Sequence, residues 1–449
     1  MVAVDKGRVI PFLRDAIEDH RNSEMYKTAV LADEYDKQRN TTIQETVRRI
    51  YSLAGAPLED FTASNNRIAS NFFRRLNEQR CSYSLGNGIT FTEDGVKDRL
   101  GKEFDTDLYN LAYKALEHGV AFGFWNVDKL HVFPLTQFVP LLDEVDGTLR
   151  AGIRYWSLDW NQRPTTAVLY EEDGFTKYRG KDGKPGLKFE EIEPKRAYKQ
   201  TVAHTEAGGD EVIGEENYGF LPIIPLWGNK NHQSTLVGMR ASIDSYDLIQ
   251  SGFANDLTDC AQLYWIVGNA SGMSDKDLTQ FMDRIRLSHV AVVDTDNSSV
   301  TPYRQEPPYG AREAYLMRIE HRIYKDFGAF NPSDITAGGV TATQINAAYQ
   351  AQDEEADDFE YQIIQFVQQT LKLIGVDSVP QFKRNRIQNQ LEQVQMLQLE
   401  RDYIDAQTML ELFPNITPDM IDTIMERKVA EDASRLESLM GAAGEGAEV

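Results

Sequence analysis

Between residues 341 and 374, one face of the chain recurs at alternating steps of three and four: Ala342, Ile345, Tyr349, Gln352, Ala356, Phe359, Ile363, Phe366, Thr370 and Leu373. That period predicts an α-helix of about nine turns, roughly 50 Å long at a rise of about 1.5 Å per residue. Thr341 and Gln344 have the spacing of a capping box, which signals the start locally. A glycine-containing loop (Ala329–Val340) precedes the helix, and a second amphipathic helix precedes the loop. A helix of this length exceeds what one ordinary domain buries. Its other face carries Asp353, Glu354, Glu355, Asp357, Asp358 and Glu360. On periodicity alone the segment fits a coiled coil or spacer equally well, so its surroundings decide.

A chain of 449 residues implies roughly two to four structural units. Forty-seven Lys and Arg stand against seventy Asp and Glu, for a net charge of −23. Tight nucleic-acid binders gain affinity by neutralising phosphate with a basic face, and this balance excludes that class. Cys81 and Cys260 lie far apart without a CxxC or a neighbouring His, which predicts free thiols in a reducing compartment. No apolar run approaches the ~18 residues of a membrane span. Met1–Arg21 lacks a signal-peptide pattern, so synthesis in the cytoplasm, without a membrane partner, is expected.

The N-terminal third reads as short helices, Arg8–His20, Thr41–Leu53 and Asn65–Gln79, followed by a hairpin of Cys81–Leu85 and Ile89–Phe91 around Gly86-Asn-Gly88. Asp105–His118 is a helix burying Leu108, Leu111, Ala112, Ala115 and Leu116. The period then becomes two. Strands are expected at Ala121–Val127, Leu130–Pro134, Leu149–Ser157, Thr165–Tyr170 and Phe175–Arg179, as an antiparallel meander whose turns use Asp-Gly at 146–147, 173–174 and 182–183. Gly180–Pro185 and Ala207–Asp210 read as mobile loops. Ser242–Tyr264 is a long helix with Ile243, Tyr246, Ile249, Phe253, Leu257, Cys260 and Tyr264 on one side and Asp244, Asp247, Asn255, Asp256 and Asp259 on the other. A small α/β insert follows: strand Trp265–Val267, helix Asp275–Arg286, and strands Val290–Val293 and Val300–Arg304. Arg312–Phe327 returns as a helix. The tail is helical over Phe382–Gln407, Met409–Phe413 and Pro418–Met440, with a disordered end.

Motifs of chemistry are wanting. The Gly-Lys pairs at 101–102, 180–181 and 183–184 lack the P-loop hydroxyl and spacing, and HExxH is absent. Asp294-Thr-Asp296-Asn-Ser298 opens like a calcium loop, but Ser299 and Gln305 replace the glycine and glutamate such a loop needs. The acidic pairs Asp357/Asp358 and Glu190/Glu191 suit a solvated surface. Neither an enzyme nor a cofactor or metal site is expected.

Several strings carry a resemblance. Gly219-Phe-Leu-Pro-Ile-Ile-Pro-Leu-Trp-Gly-Asn229, Ile243-Asp-Ser-Tyr-Asp-Leu-Ile-Gln-Ser251 and Asn255-Asp-Leu257 resemble the entry into the first stem helix of the portal proteins of tailed bacteriophages, siphophage type. Phe382-Lys-Arg-Asn-Arg-Ile-Gln-Asn389, Tyr403-Ile-Asp-Ala-Gln-Thr-Met-Leu410 and Phe413-Pro414 resemble that family's C-terminal region. The match spans roughly residues 40–430. It departs after the loop, where Gly338-Gly-Val-Thr-Ala-Thr-Gln344 replaces the Ser-Gly-x-Ala-Leu-like helix start of many relatives.

The resemblance implies an α+β portal fold: a β-rich wing with N-terminal helices (1–230), a first stem helix (234–264), a small α/β clip (265–307), a second stem helix (309–328), a tunnel loop (329–340), a long wing helix (341–374), a helical crown (380–440) and a disordered tail (441–449). It implies a homo-oligomeric ring, usually of about twelve subunits and sometimes thirteen when isolated, at one capsid vertex of the virion. Double-stranded DNA would pass through it without sequence specificity. The implied protein partners are the terminase large subunit, head-completion (adaptor) and tail proteins, scaffold and the major capsid protein.

By that analogy the tunnel loop offers Asn331, Ser333, Asp334, Thr336, Gly338 and Gly339 to the channel, unless it is an ordinary helix connection. The clip offers Asp275, Asp277, Arg284, Arg286, Asp294 and Asp296 for docking. Since each neutralised phosphate adds affinity and drag, an acidic lining suits a conduit. Asp244, Asp247 and Asp259 are candidates for it, with Arg312, Arg318 and Arg322 beside them. Alternatively those acids lie outside the channel or pair with these arginines. Another ring-forming head–tail adaptor or scaffold protein, or a hydrolase using acids of the β-rich region, remain alternatives.

Overall fold

A computed structural model describes residues 6–51, 57–59, 64–93, 95–156, 165–180, 189–204, 210–260, 264–267, 300–303, 309–331, 342–386, 403–413 and 423–430, with a few isolated positions besides. At 6–8, 50–51, 58, 204, 210–211, 259–260, 264–267, 300–303, 342–346, 406 and 411–412 the backbone alone is described. The chain divides into two compact units, residues 1–331 with 351–384, and residues 332–350 with 385–449.

In the first unit, helix α1 (Lys6–Asn22) leads into α2 (Glu24–Asp36), and Ser23 caps α2 by accepting the Tyr26 N–H at 3.2 Å. The single-turn α3 (Thr41–Gln44) precedes two paired strands, β1 (Arg49–Tyr51) and β2 (Pro57–Glu59). An extended segment, 64–70, runs into α4 (Phe72–Leu85). Strand β3 (Ile89–Phe91), α5 (Val96–Leu100) and α6 (Phe104–His118) follow. The strands come next: β4 (Val120–Asn126), β5 (Lys129–Pro134), β6 (Phe138–Leu142), β7 (Leu149–Trp156), β8 (Thr166–Glu171), β9 (Gly174–Gly180), β10 (Phe189–Arg196), β11 (Lys199–His204), β12 (Asp210–Glu216) and β13 (Ile223–Trp227). Helix α7 (Leu236–Cys260), β14 (Tyr264–Val267), β15 (Val300–Tyr303) and α8 (Tyr309–Phe327) lead to the long helix α9 (Ala342–Leu373) and β16 (Pro380–Phe382).

The strands do not form one meander. They make a three-stranded antiparallel sheet, β13-β4-β5, and a separate five-stranded one, β10-β9-β8-β7-β6. Alternation along β4 explains how they stack. Val120, Phe122 and Phe124 point into an aromatic layer with Phe133, Phe138, Val168 and Tyr170, which the five-stranded sheet shares. Phe122 and Phe138 meet there at 4.4 Å between ring centroids. Ala121 and Trp125 point the other way, against α6 and α9. The far face of the five-stranded sheet packs Ile153, Ala167, Leu169 and Tyr178 on Leu13 and Ile17 of α1. The order of layers is therefore α6 with α9, sheet, sheet, α1.

The long helix solves its burial problem inside this stack. Phe359, Ile363, Phe366, Val367 and Leu371 join the core of α6 and the three-stranded sheet. Phe366 lies so close to β4 that a Cβ on Gly123 would stand 2.5 Å from its Cζ, and only glycine fits there. Of the face read from sequence, Tyr349, Gln352, Ala356, Phe359, Ile363, Phe366, Thr370 and Leu373 are all buried. Thr341 lies outside the described residues.

Several local readings are corrected. Cys81–Leu85 is not a strand: α4 continues through it, burying Leu76, Arg80, Cys81, Ser84 and Leu85 at helical spacing. β3 pairs instead with β16, with Gln381 opposite Thr90 and the Gln381 amide donating to the Thr92 hydroxyl, 289 residues earlier, at 3.1 Å. Asn65–Gln79 is helical only from Phe72, because the backbone of 64–70 is bonded to other elements. Thr41–Leu53 holds one helical turn and then β1. Phe382 ends a strand, so Phe382–Gln407 is not a continuous helix. The expected turn at 182–183 and most of the two loops at 180–185 and 207–210 lie outside the described residues.

In the second unit, α10 (Ala406–Leu412) is capped by the Asp405 carboxylate, which accepts the N–H groups of Gln407 and Thr408 at 3.2 and 3.1 Å. Residues 423–430 are helical within the expected Pro418–Met440 stretch.

Candidate functional site

Helices α7 and α8 pack side by side. Their shared apolar face joins Leu236, Met239 and Ile243 to Ile319, Ile323, Tyr324 and Phe327, and both rest on Tyr35, Phe72, Phe73 and Leu76. Further along, the Phe253 and Tyr309 rings meet at 5.7 Å and Arg312 pairs with Asp256. Beyond the pair, β14 and β15 close as antiparallel strands, Tyr264↔Tyr303 through Val267↔Val300. The segment between α7 and α8 thus leaves and returns at one place. Asp277 accepts the Ser274 hydroxyl at 2.7 Å on its exposed edge. Asp275, Arg284, Arg286, Asp294 and Asp296 lie outside the described residues, as do the strand at 290–293 and the calcium-like start.

The acids of α7 face inward. The Asp247 carboxylate is fully buried, accepts the Ser70 N–H at 2.9 Å and is bonded by the Asn40 side-chain amide. Burial pushes its pKa above the usual aspartate value. Asp244 accepts from the Tyr35 hydroxyl and from Thr42 at 2.8 Å, and Arg240 stands 3.5 Å away. Neither carboxylate is available to a passing polyanion, which corrects the reading of Asp244 and Asp247 as a lining. The acidic side of α7 is read from sequence as a channel lining or as a partner of the arginines of the next helix, and Asp256 does pair with Arg312. Asp244, Asp247 and Asn255 are instead bonded to residues more than 170 positions earlier in the chain, which no local pattern reveals. The side chain of Asp259 lies outside the described residues. Exposed charge on the pair includes Arg240 of α7 and Glu313, Arg318, Arg322, Lys325 and Asp326 of α8, with Arg322 bonded to Asp326 at 3.0 Å.

The chain leaving α8 is fixed at its start. Gly328 adopts φ +64°, and a Cβ there would lie 2.7 Å from Glu355 Cγ. The Phe330 N–H donates to Gln352 Oε1 at 3.1 Å, its carbonyl accepts from Gln79 at 2.9 Å, and Asn331 is buried. Ser333, Asp334, Thr336, Gly338 and Gly339 lie outside the described residues.

The carboxylates of α9 are structural as well. Arg384, on the chain returning from β16, donates to Glu360 at 3.0 and 2.8 Å, to Asp353 at 3.1 Å and to Asp357. These hydrogen bonds, Glu360's first, push its pKa further up. Tyr83 donates to Asp353 at 2.6 Å, and the nearly buried Arg80 pairs with Glu355 at 3.2 Å. Asp358 accepts the Lys230 N–H at 3.1 Å.

One cluster escaped the sequence reading. Asp33 of α2 meets Lys114, Glu117 and His118 of α6. Lys114 Nζ lies 3.2 Å from Asp33 and 2.6 Å from Glu117, and His118 Nε2 lies 3.1 Å from Asp33. Burial, with the neighbouring Asp33, pushes Glu117 up to about 8 and outweighs the opposing pull of Lys114. Burial pushes Asp33 up too, but bonds and charge from His118 overcome it and hold Asp33 low. Asp33, Glu117 and His118 are the triad of possible metal ligands found among the described residues. The Lys114 ammonium already stands between the ionised Asp33 and the proton-retaining Glu117, so the group reads as a charge and hydrogen-bond cluster joining α2 to α6. Its signal in sequence was the Lys114/Glu117 spacing of three on a helix face.

A cavity of about 460 Å³ beside β4 and β13 is lined by apolar side chains such as Val120, Phe122, Ile223 and Trp227, with His20 its sole titratable lining residue. It brings no pair of carboxylates together, as an acid–base hydrolase would need. Among the described residues no helix is long and apolar enough to cross a membrane.

Paired helices around a strand-closed insert, followed by a long helix buried in an α+β body, define the architecture that the resemblance to phage connectors called for. The family model of phage portal proteins of the SPP1 Gp6-like type matches residues 15–434, and the chain belongs to that family. Membership makes it a structural component of a phage particle. The portal protein of Bacillus phage SPP1 is 27% identical over 387 residues, covering 79% of this chain and 74% of that one. The portal protein of Clostridium phage phiCD119 is 22% identical over 366 residues, covering 73% and 77%. Among solved structures, the neck of a native gene transfer agent particle computed with C12 symmetry is similar at a TM-score of 0.43 and 10% identity, covering 83% of this chain and 97% of that one. The virion of such a particle is similar at 0.41 and 12%, covering 82% and 93%.

Proposed function

We propose that this portal protein forms a closed homo-oligomeric ring at one capsid vertex, and that its central channel passes double-stranded DNA during packaging and ejection. The observation that carries this reading is the α7–α8 pair. It holds the base of the β14–β15 insert at one end and is anchored to the layered body by its apolar face at the other. Residues 1–230 are then the wing, 234–264 and 309–328 the stem, 265–307 the clip, 329–340 the tunnel loop, 341–374 the long wing helix and 380–440 the crown. The clip, with Asp275, Asp277, Arg284, Arg286, Asp294 and Asp296, docks the terminase large subunit and later the adaptor and tail proteins. Scaffold and major capsid protein contact the wing during assembly in the host cytoplasm.

Ser333, Asp334, Thr336, Gly338 and Gly339 approach the DNA, with the buried Asn331 setting where that loop departs. Because Asp244 and Asp247 are occupied inside the protomer, the stem's exposed charge is mixed: Arg318, Arg322 and Lys325 stand with Glu313 and Asp326 on α8, and Asp259 is the remaining candidate acid of α7. Contacts to phosphate are therefore few per subunit, which keeps affinity low.

Negative-stain electron microscopy with mass measurement tests the ring: closed rings of about twelve or thirteen subunits with a central hole are expected. A chain that stays monomeric when co-expressed with its scaffold and capsid proteins overturns it. Deleting Ser333–Gly338 should leave rings intact and impair packaging.

A further inference from the structure

Residues 64–70 cross α7 as an extended segment, and their bonding is unusual. The N–H of Ser70 donates to Asp247 Oδ1 at 2.9 Å, that of Ile68 to Ser251 Oγ at 2.9 Å, and that of Asn66 to Asn255 Oδ1 at 2.6 Å. Every second residue of the segment meets every fourth residue of the helix, in antiparallel order. The spacings agree. Four helical residues advance about 6 Å, and two extended residues advance about 6.6 Å. A helix cannot offer a backbone ladder to a strand, because its own peptide groups are used. Here a column of side-chain acceptors on α7 takes the place of one.

The other edge of the segment is held in the same manner. Gln38 donates to the Ala69 carbonyl at 2.8 Å, Asn40 to the Ser70 carbonyl at 3.1 Å and Arg48 to the Ser64 carbonyl at 3.3 Å. The segment thus stitches α7 to the chain between α2 and β1. Apolar contact adds little, since Ile68 is 37% exposed and Asn66 and Arg67 face solvent. The core that holds α4, α7 and α8 together does not include the segment.

We propose that residues 64–70 are a releasable strap: a polar lace that fixes α7 in one register against the N-terminal helices and opens as a unit, while α4 and α7 stay folded. Segments held by few buried apolar contacts and by exposed backbone bonds open at the low end of a protein's range of local stabilities. Release frees Ser251 and Asn255 of α7 together, while Asp247 keeps its bond from Asn40 and Asp244 its bonds from Tyr35 and Thr42. The part of α7 from Ser251 onward then loses its hydrogen bonds to the strap without unfolding. The strap is read from contacts alone and stands whether or not α7 lines a channel.

Hydrogen exchange on the full-length assembled protein, followed by mass spectrometry with overlapping peptides, tests it. In the wild type, peptides covering 64–70 should exchange through an opening that leaves α4 and α7 protected. Ser251→Ala and Asn255→Ala should each accelerate exchange of 64–70 by about tenfold, and leave the Phe72–Leu85 peptides unchanged. Ile68→Ala, which removes the strap's main apolar side chain, should change the rate by less than about twofold. Unchanged rates in both acceptor variants overturn the proposal, because the strap is then held by something else. Acceleration spread equally over the strap, α4 and α7 overturns it as well, because the strap then has no opening of its own. The wild-type comparison alone decides the second point even if a variant fails to fold.

Discussion

Arg384→Met is the sharpest probe of how the long helix is held. The guanidinium donates two bonds to Glu360, one to Asp353 and one to Asp357. Methionine keeps most of the stem's bulk and removes all of them. Asp357 is 70% exposed, so its pair contributes at most about 1 kcal/mol. Glu360 is different: its side chain is 11% exposed, and it would be left beside Asp353 without a counter-charge. Breaking a buried pair by removing one partner costs about 3–5 kcal/mol. Arg384 itself is 21% exposed, which brings the expected loss to about 3 kcal/mol.

The loss should appear locally, since β16 sits immediately before Arg384 and pairs with β3. Amide exchange across 380–384 should accelerate about a hundredfold, at about 1.4 kcal/mol per decade. The second variant, Arg384→Met with Glu360→Gln, removes the stranded charge and should recover at least half of that loss. Exchange that accelerates less than about threefold, or a double variant no better than the single one, would refute the clamp.

Other perturbations reach different parts of the molecule. Gly123→Ala places a methyl 2.5 Å from Phe366 Cζ and should lower stability by about 1–3 kcal/mol in chemical denaturation, with partial recovery in Gly123→Ala/Phe366→Leu. Glu117, raised from 4.5 to about 8, retains a proton in the folded state that the unfolded chain has lost. Its contribution is full below about pH 4.5 and disappears as pH rises through 8, so the melting temperature should fall across that window. Glu117→Gln should flatten the fall. The low-titrating Asp33 acts in the opposite sense, losing its contribution only at acidic pH. Asp247→Ala strands the Ser70 N–H and the Asn40 amide and should cost about 1–3 kcal/mol in the same denaturation assay. A normally stable Asp247→Ala protein with a changed DNA-passage rate would restore Asp247 to the channel.

What the sequence made legible was whatever one element decides for itself. The long helix showed its buried face from Tyr349 to Leu373 because a 3.6-residue period needs no partner to be recognised. The inward face of α6 and strands β4, β5 and β7 to β9 were equally visible. Hidden were the choices made between distant segments. Cys81-Ser-Tyr-Ser-Leu85 alternates like a strand, yet it completes a helix because Cys81 and Leu85 pack into the core of α6 and α9 and Tyr83 bonds Asp353. Ile89–Phe91 is a strand, but its partner is Pro380–Phe382 and not its neighbour. The turn glycines around residue 87 suggested a hairpin that the chain does not make.

The acids of α7 and α9 that bond other elements, Asp244, Asp247, Asp353 and Glu360 among them, share a physical cause. A net charge of −23 invites the view that carboxylates coat the surface and repel DNA. In the folded chain many of them instead accept hydrogen bonds that link segments far apart in sequence. Asp247 and Asp244 bind the Ser70 amide, the Asn40 side chain, Tyr35 and Thr42, while Asp353 and Glu360 bind Arg384 and Asp358 binds the Lys230 amide. An ionised carboxylate offers two oxygens and about four lone-pair directions, so one side chain can fasten two elements at once. Helices α7 and α9 use that capacity on the side facing other elements, where leucine would give burial without fixing a register. Neutralising these acids should therefore be read first in local exchange and stability, and only what remains after that correction assigned to electrostatics in a channel.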